Sequence, residues 1–257
     1  METKEKIMLV TRHGKAGIED DSISQVSART MYDKAGQELF EWLKAKHGPY
    51  THKGGSLQAS NKRRTFCTGI AILSRAFGLH LPSDDNYAHT KNELESLDIS
   101  FGRDDNLDYD NLQFDKLKMQ ELGGLPQYIG LWIQQPSSDQ IGGGKITPFN
   151  NMVNTRGQYL AGRLTNLIAP TNKGGLEVLA THSAVIEALA ISALNPGTQT
   201  PAEIIDEIGQ FDREQYFTLR FQIAPKSGMV TEAKFQRGNN KPISISLQRI
   251  MQAYHPN

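Results

Sequence analysis

Short apolar runs recur along the chain, and between them apolar residues take the three-and-four spacing of helices. Two of the runs, at Ile7–Val10 and Leu176–Thr181, are strongly apolar, as strands buried on both faces of a sheet are. Two later runs alternate apolar and polar residues on either side of Pro225–Gly228, which predicts a hairpin. We predict strands at Ile7–Val10, Gly54–Ala59, Leu176–Thr181, Tyr216–Ile223 and Met229–Phe235.

Helices are predicted where apolar residues would line one face, as Ala35, Leu39 and Leu43 do in the first of them. Asp33 is placed to cap that helix, and Ser60 is placed to cap the next one. We predict helices at Asp33–His47, Ser60–Gly78, Asn111–Leu122, Pro126–Gln134, Thr155–Ala169 and Ala184–Leu194.

The order of these elements defines the expected architecture. Strands that alternate with helices favour a three-layer α/β/α sandwich with a mostly parallel sheet. The segment from about 82 to 148 departs from this alternation, because it offers helices, a Gly142-Gly143-Gly144 run and a loop without periodicity but no strand set of its own. We therefore predict a single domain over residues 1–257, with an insertion at about 82–148 that lies over one face of the sheet.

Composition and charge exclude several classes of protein. The 257 residues include 28 basic and 28 acidic side chains, and this balance argues against a nucleic-acid partner. No apolar stretch approaches the length of a membrane span, and the first residues do not resemble a secretory signal, so we expect a soluble, cytoplasmic protein. The single cysteine, Cys67, excludes an intramolecular disulfide. The chain shows no tight metal-ligand spacing, and we expect neither a metal nor a cofactor.

The residues that directly follow two strong strands are chemically distinctive. The first strand runs into Thr11-Arg12-His13-Gly14, and Leu176–Thr181 runs into His182. Parallel strands present their carboxyl ends at one edge of the sheet, where ligands bind, so we expect the two imidazoles to converge there. A guanidinium beside an imidazole suits a phosphoryl group, because Arg offers a planar fork of donors and His can act as a nucleophile.

A third basic segment begins the predicted helix at Ser60. Lys62, Arg63 and Arg64 fall in its first turn, where cations oppose the helix dipole. A nearby anion would explain these cations, and a solvated charged turn is the alternative explanation.

Together these segments resemble the three motifs of the histidine phosphatase (phosphoglycerate-mutase-like) superfamily. Thr11-Arg12-His13-Gly14 resembles its Arg-His-Gly signature, Ser60-x-x-x-Arg64-x-x-x-Thr68 its second motif, and Thr181-His182-Ser183-Ala184-Val185-Ile186 its third. The motifs stand in the family's order and extend over most of residues 5 to 195. The resemblance implies a phosphoglycerate-mutase-like fold.

The resemblance also implies roles for individual residues. His13 would be the nucleophile that forms a phosphohistidine, and the phosphate site would consist of Arg12, His13, Arg64 and His182. Phosphoryl transfer is mostly a matter of positioning and charge stabilisation, so two guanidiniums and a second imidazole can support it without a metal. His13 has to attack as the neutral imidazole, with its other ring nitrogen donating to a backbone carbonyl.

The family further requires an acid that protonates the leaving group, usually a carboxyl a few residues before a glycine. With Gly102 as that glycine, the candidates are Glu95, then Asp98, then Glu93. In the acid-phosphatase branch an Asp follows the second histidine directly, and this chain has Ser183 there. Each candidate is otherwise a solvated carboxylate, and at most one of them can be the donor.

The function predicted from the sequence is hydrolysis of a phosphomonoester or a phosphorylated protein side chain through a phosphohistidine at His13. The expected partner is therefore a phosphorylated small molecule or a phosphoprotein, and the oligomeric state is left open. A phosphoglycerate-mutase-type phosphotransferase and a non-catalytic phospholigand-binding protein are the alternatives. Lys15-Ala16 resembles the short phosphohistidine phosphatases more than the mutases, and Lys15 is either an anion contact or a solvent-exposed lysine.

Overall fold

The computed structural model describes residues 4–17, 21–47, 54–83, 86–108, 116–135, 148–172, 174–194 and 199–254. A sheet of seven strands forms the middle layer. The strands are β1 (Lys4–Arg12), β2 (Gly55–Ala59), β3 (Ile99–Arg103), β4 (Leu176–Thr181), β5 (Tyr216–Ile223), β6 (Val230–Arg237) and β7 (Ile243–Ser244).

The strands lie in the order β3-β2-β4-β1-β5-β6-β7. The first four strands in this order are mutually parallel. The remaining three extend the sheet in antiparallel fashion, with β5 and β6 forming the predicted hairpin. The four parallel strands form the part of the sheet whose carboxyl ends share one edge.

Helices cover both faces of the sheet. They are α1 (Gln25–Met31), α2 (Gln37–His47), α3 (Arg63–Ala76), α4 (Tyr87–Glu95), α5 (Lys116–Glu121), α6 (Leu125–Gln134), α7 (Phe149–Ile168), α8 (Val185–Leu194), α9 (Pro201–Ile208) and α10 (Leu247–Tyr254).

Two hydrophobic cores account for the three layers. On β1, Ile7 and Leu9 pack with α1 to α4, whereas Met8 and Val10 pack with α6 to α10. In a strand that is buried on both faces, successive residues are all apolar. This explains why apolar and polar residues do not alternate in Ile7–Val10. The predicted α/β/α class is confirmed. Across the described residues, no helix has both the length and the apolar character that a membrane crossing requires.

Three predicted helix starts are wrong. The first helical segment begins at Gln25, where the Ser24 side chain accepts from Ser27 N at 3.3 Å, and it continues through a π-helical turn at Tyr32–Gly36. Asp33 therefore lies inside the helical segment and does not cap it. The helix predicted to start at Thr155 starts at Phe149, because the apolar face continues through Phe149, Met152 and Val153.

Ser60 is not a helix cap either. α3 starts at Arg63, with Lys62 at the cap position and no side-chain capping bond, and the Ser60 hydroxyl is used elsewhere. The predicted insertion also contains a strand, since β3 at Ile99–Arg103 pairs with β2 and belongs to the central sheet. Of the predicted helix Asn111–Leu122 the structure describes residues 116–122, and Lys116–Glu121 are helical. Residues 136–145 lie outside the described part of the chain.

Candidate active site

The two histidines that follow β1 and β4 meet at the carboxyl edge of the parallel strands. Arg12 on β1 lies opposite Thr181 on β4, and His13 N donates to Thr181 O at 3.0 Å. The two ring centroids are 4.8 Å apart, and the rings are inclined by 68°. The register of the two strands thus brings His13 and His182 into direct contact although 168 residues lie between them in the sequence.

The backbone next to His13 fixes its tautomer. His13 Nδ1 lies 2.6 Å from Gly14 O, and a carbonyl oxygen can only accept, so Nδ1 carries the proton. The other ring nitrogen, Nε2, is left with its lone pair. Gly14 is required by close packing, because a Cβ there would lie 2.6 Å from Ser27 Cβ and 2.7 Å from Ile23 Cδ1.

The surroundings of His13 keep its ring neutral. The pKa of His13 is lowered to about 4, mainly by burial and also by the positive charges of Arg64, Arg12 and Arg213, which together outweigh the raising effect of the Gly14 carbonyl. The ring is therefore a neutral imidazole at physiological pH, which is the form that can act as a nucleophile.

His182 is fully buried and belongs to a chain of hydrogen bonds. Thr65 Oγ1 donates to Lys62 O at 2.6 Å, so Ser60 Oγ donates to Thr65 Oγ1 at 2.9 Å and accepts from His182 Nε2 at 2.7 Å. The pKa of His182 is lowered to about 2, mainly by burial and also by His13 and the nearby cations. His182 is thus a neutral donor held by Ser60.

Arg12 directly precedes His13 and ends β1. Its side chain is only 7 % exposed, and its Nη1 donates to Phe211 O at 2.5 Å. The Arg12 backbone N also donates to Gln215 O at 3.0 Å, which ties the end of β1 to the turn before β5. The Phe211 carbonyl thus holds the guanidinium of Arg12, and the Gln215 carbonyl holds its backbone.

The first turn of α3 supplies the second guanidinium. Arg64 forms an ion pair with Asp21, and four residues further on Thr68 Oγ1 accepts from Gly14 N at 3.3 Å. α3 is thereby fixed against the His13–Gly14 segment. The arrangement brings together Arg12, His13, Arg64 and His182, the four residues of the predicted phosphate site.

The structure does not bring the predicted proton donors to this site. Glu95 ends α4 and pairs with Lys91, and Glu93 and Asp98 are exposed. All three precede β3, whose first residue lies beside Gly55 at the amino end of the parallel strands. That end is about 13 Å away from the carboxyl end of β3 at 3.3 Å per residue. The assignment of these carboxyls as donors is therefore incompatible with the fold.

A carboxylate that the sequence did not predict as a site residue lies at the carboxyl edge of the parallel strands, where the two histidines meet. Asp108 follows the carboxyl end of β3 and is buried, with Oδ1 3.8 Å from His182 Nε2. Its Oδ2 accepts from Asn61 N at 3.2 Å. The run Arg103-Asp104-Asp105-Asn106-Leu107-Asp108 is polar and Asp-rich, and only the recognition of β3 before it would have indicated where it lies.

The structure also describes the single cysteine and the residues that could bind a metal. Cys67 is buried in α3, and burial raises the pKa of its thiol to about 11, so it is a weak nucleophile. In the described ranges, His, Cys, Asp and Glu form no group of three or more that could hold a metal ion.

Comparisons with known proteins identify the fold. No protein-family model and no curated protein matches the sequence. A mycobacterial glucosyl-3-phosphoglycerate phosphatase is 12% identical with a TM-score of 0.53, over 92% of this chain and 99% of that one. A structure titled mycobacterial hydrolase 1 is 14% identical with a TM-score of 0.52, over 90% and 96%. A phosphoglycerate mutase from Bacillus anthracis is 13% identical with a TM-score of 0.50, over 98% and 97%.

These likenesses extend over nearly the whole of each chain and define the class. The protein has the phosphoglycerate-mutase-like α/β fold. At identities of 12–14% the comparisons show this fold alone, and the chemistry has to be argued from the residues of this chain.

Proposed function

We propose that the protein is a phosphatase that hydrolyses a phosphomonoester through a covalent phosphohistidine at His13. The observation that carries this proposal is the 4.8 Å contact between the His13 and His182 rings at the carboxyl edge of the sheet, with Arg12 and Arg64 beside them. A neutral imidazole with a free lone pair supplies the nucleophile for phosphoryl transfer to nitrogen, and two guanidiniums supply positive charge for the phosphoryl oxygens.

In the first half-reaction His13 Nε2 attacks phosphorus, so that a P–N bond forms as the P–O bond to the leaving group breaks. Arg12 and Arg64 donate to the equatorial phosphoryl oxygens, where negative charge has to be stabilised, and His182, whose N–H is donated to Ser60, lies against the His13 ring. The departing oxygen takes a proton from the Asp108 carboxyl, the buried acid 3.8 Å from His182 Nε2. The Nδ1–H bond to Gly14 O disperses the positive charge that the His13 ring acquires.

In the second half-reaction water attacks the same phosphorus. Asp108, now a carboxylate, takes a proton from this water, an O–P bond forms and the P–N bond breaks. Inorganic phosphate leaves, and His13 returns to the neutral Nδ1–H tautomer. The acid and the base of the cycle are therefore one residue, Asp108, whose Oδ1 lies 3.8 Å from His182 Nε2.

The direct test is turnover of phenyl phosphate by the purified protein, with release of inorganic phosphate as the readout. We expect His13→Ala to reduce kcat by at least about a thousandfold, because it removes the nucleophile. His80→Ala, which changes an exposed histidine away from the site, serves as the matched control and is expected to retain activity. Comparable turnover by the wild type and His13→Ala would contradict the proposal.

The alternative functions give different outcomes in the same experiment. A phosphotransferase of the mutase type converts phosphoglycerate to its isomer faster than it releases phosphate, because its phosphoenzyme resists water. A non-catalytic phospholigand-binding protein shows background turnover with both the wild type and His13→Ala. Phosphate release that depends on His13 and exceeds isomer formation supports the phosphatase.

A further inference from the structure

A buried carboxylate near the site takes no part in the mechanism described above. Glu187 lies in the first turn of α8, which begins three residues after His182, and only 1 % of its surface is exposed. A carboxylate this far from water is costly unless hydrogen bonds or charges compensate for the lost hydration. The groups that face Glu187 therefore indicate what it does.

The Glu187 carboxylate connects α8 to the segment before β5. Its Oε1 accepts from Phe211 N at 3.1 Å. Burial raises the pKa of Glu187, whereas its own backbone N–H, the positive charge of Arg12 and the N–H groups of Phe211 and Ala184 act in the opposite direction. The carboxylate is thus held at the start of α8, bonded to Phe211 and within range of the Arg12 charge.

The carbonyl of Phe211 holds Arg12. Phe211 O accepts from Arg12 Nη1 at 2.5 Å, and the Arg12 side chain is itself buried. The backbone of residue 211 therefore stands between an acid and a base, because its N–H donates to Glu187 and its C=O accepts from Arg12. A shift of this backbone would move the acceptor that sets the direction of the guanidinium.

The position of the Phe211 backbone depends on tertiary contacts. Residues 209–212 belong to neither a helix nor a strand. Arg237 on β6 donates to Gln210 O at 2.6 Å, and its guanidinium lies 4.5 Å from the centroid of the Phe211 ring. Arg237 thus fixes the segment through the Gln210 carbonyl and the Phe211 ring, and Glu187 fixes it through the Phe211 N–H.

We propose that Glu187 is a positioning residue of the active site, which holds the Phe211 backbone so that its carbonyl directs the Arg12 guanidinium toward the transferred phosphoryl group. This inference rests on the proposed function and adds to it a residue that does not touch the substrate. A guanidinium that is fixed in advance loses little freedom when an anion binds and needs no reorganisation in the transition state.

The experiment measures the binding of inorganic phosphate by titration calorimetry and the turnover of phenyl phosphate. Glu187→Met keeps the length of the side chain and removes the acceptor for Phe211 N. We expect phosphate affinity to fall about tenfold, and kcat to fall by a larger factor than KM rises, because a displaced guanidinium stabilises the transition state least well.

Glu187→Gln is the conservative variant, because it keeps an oxygen that can accept from Phe211 N. It is expected to retain phosphate affinity and kcat within about threefold of the wild type. If Glu187→Met does not fold, Glu187→Asp takes its place, since a carboxylate that is one methylene shorter does not reach Phe211 N from the same backbone position. The same loss of phosphate affinity is expected in Glu187→Asp.

Glu177→Met is the matched control for the loss of a buried carboxylate. Glu177 is also buried, and it pairs with Arg163 near the amino end of the parallel strands, away from the site. Glu177→Met is expected to lower the melting temperature, as Glu187→Met does, and to leave phosphate affinity unchanged. Thermal unfolding of both variants therefore separates a loss of stability from a loss of phosphate binding.

A double variant tests whether Glu187 acts through Arg12. If it does, Arg12→Gln combined with Glu187→Met binds phosphate as weakly as Arg12→Gln alone. Additive losses, or equal losses in Glu187→Gln and Glu187→Met, would overturn the positioning role. Unchanged affinity in Glu187→Met beside a clear loss in Arg12→Gln would overturn this role alone, whereas unchanged affinity in Arg12→Gln would refute the proposed phosphate site as well.

Discussion

At the residue scale, the site depends on two imidazoles that are neutral for the same reason. Burial is the largest cause of the lowered pKa of both His13 and His182, and the neighbouring cations act in the same direction. Neutrality serves different purposes in the two rings. His13 needs a free lone pair on Nε2, whereas His182 needs to remain a donor that Ser60 can hold.

The lowered pKa of His182 predicts how stability responds to pH. The folded state keeps this ring neutral, whereas the unfolded chain takes up a proton below about pH 6.5, so the free energy of unfolding falls as pH decreases. We expect a shallower fall between about pH 7 and pH 5 in His182→Gln. Denaturant unfolding at several pH values measures this slope, with His80→Gln as the control. Identical slopes for the wild type and His182→Gln would contradict the prediction.

Asp108→Asn tests the assignment of the proton donor. Removal of a general acid matters most for a poor leaving group, so we expect phosphate release from glycerol phosphate to fall roughly 100-fold or more, with a smaller loss on 4-nitrophenyl phosphate. Steady-state assays with both esters give this comparison. Asp105→Asn changes an exposed carboxylate three residues away and is the matched control.

The same assays separate the structural assignment from the one made on sequence. Glu95→Gln and Asp98→Asn are expected to leave both rates within about twofold of the wild type, because surface substitutions away from a site have small effects. A large loss on glycerol phosphate in either variant, with Asp108→Asn active, would reverse the assignment.

A site residue could be predicted from the sequence when it adjoins a strand that the local pattern reveals, and not when only tertiary contacts position it. Arg12, His13 and His182 follow strong strands, so the sequence placed them at one edge. Asp108 was missed because β3, with Ser100 and Gly102 in a short strand, lacks an apolar pattern. Arg213 lies in a turn that only tertiary hydrogen bonds bring beside His13, and no local pattern indicates such a contact.

At the scale of elements, the packing of α3 on β2 sets the position of several site residues. β2 leads into Ser60, and α3 carries Arg64 and Thr68. The two elements approach closely at Gly69, where a Cβ would lie 2.7 Å from Leu57 Cδ2 and 3.0 Å from Leu57 Cγ. Leu57 is fully buried, so it has no space into which to move.

Gly69→Ala is therefore expected to destabilise the protein by about 1–3 kcal/mol and to reduce activity, because overpacking displaces α3 from β2. Gly162→Ala, in α7, is the matched control. A Cβ there meets nothing within 4 Å, and alanine favours the helix by up to about 1 kcal/mol. Thermal unfolding of both variants measures the difference, and equal melting temperatures would contradict the packing argument.

Element boundaries show where local signals suffice and where they do not. Leu176–Thr181 and Tyr216–Ile223 begin and end as predicted, since each is a clear apolar or alternating run between polar residues. The helical segment from Gln25 was predicted eight residues late, because its first turns bury Ser27 and Ala28 in place of large apolar residues. Small buried residues leave no hydrophobic period to detect.

At the scale of the whole molecule, the candidate active site and the buried charged groups outside it lie at opposite ends of the parallel strands. Arg12, Ser60 and His182 lie at the carboxyl ends of the parallel strands. At the other end, the Lys6 ammonium donates to the carbonyls of Leu167, Ala169 and Asn172. Near that end the buried carboxylate of Glu177 pairs with Arg163. The zero net charge of the chain therefore conceals a local excess of cations around His13.

The central claim is that His13 becomes covalently phosphorylated during turnover. The direct measurement is rapid quenching of the protein with 4-nitrophenyl phosphate under alkaline conditions, followed by peptide mass spectrometry. We expect a phosphoryl adduct on the peptide that contains His13, lost on brief acid treatment, absent in His13→Ala and enriched in Asp108→Asn, where hydrolysis of the intermediate is slowed. Turnover at the wild-type rate with no adduct on this peptide, or with the adduct on another residue, would contradict the account.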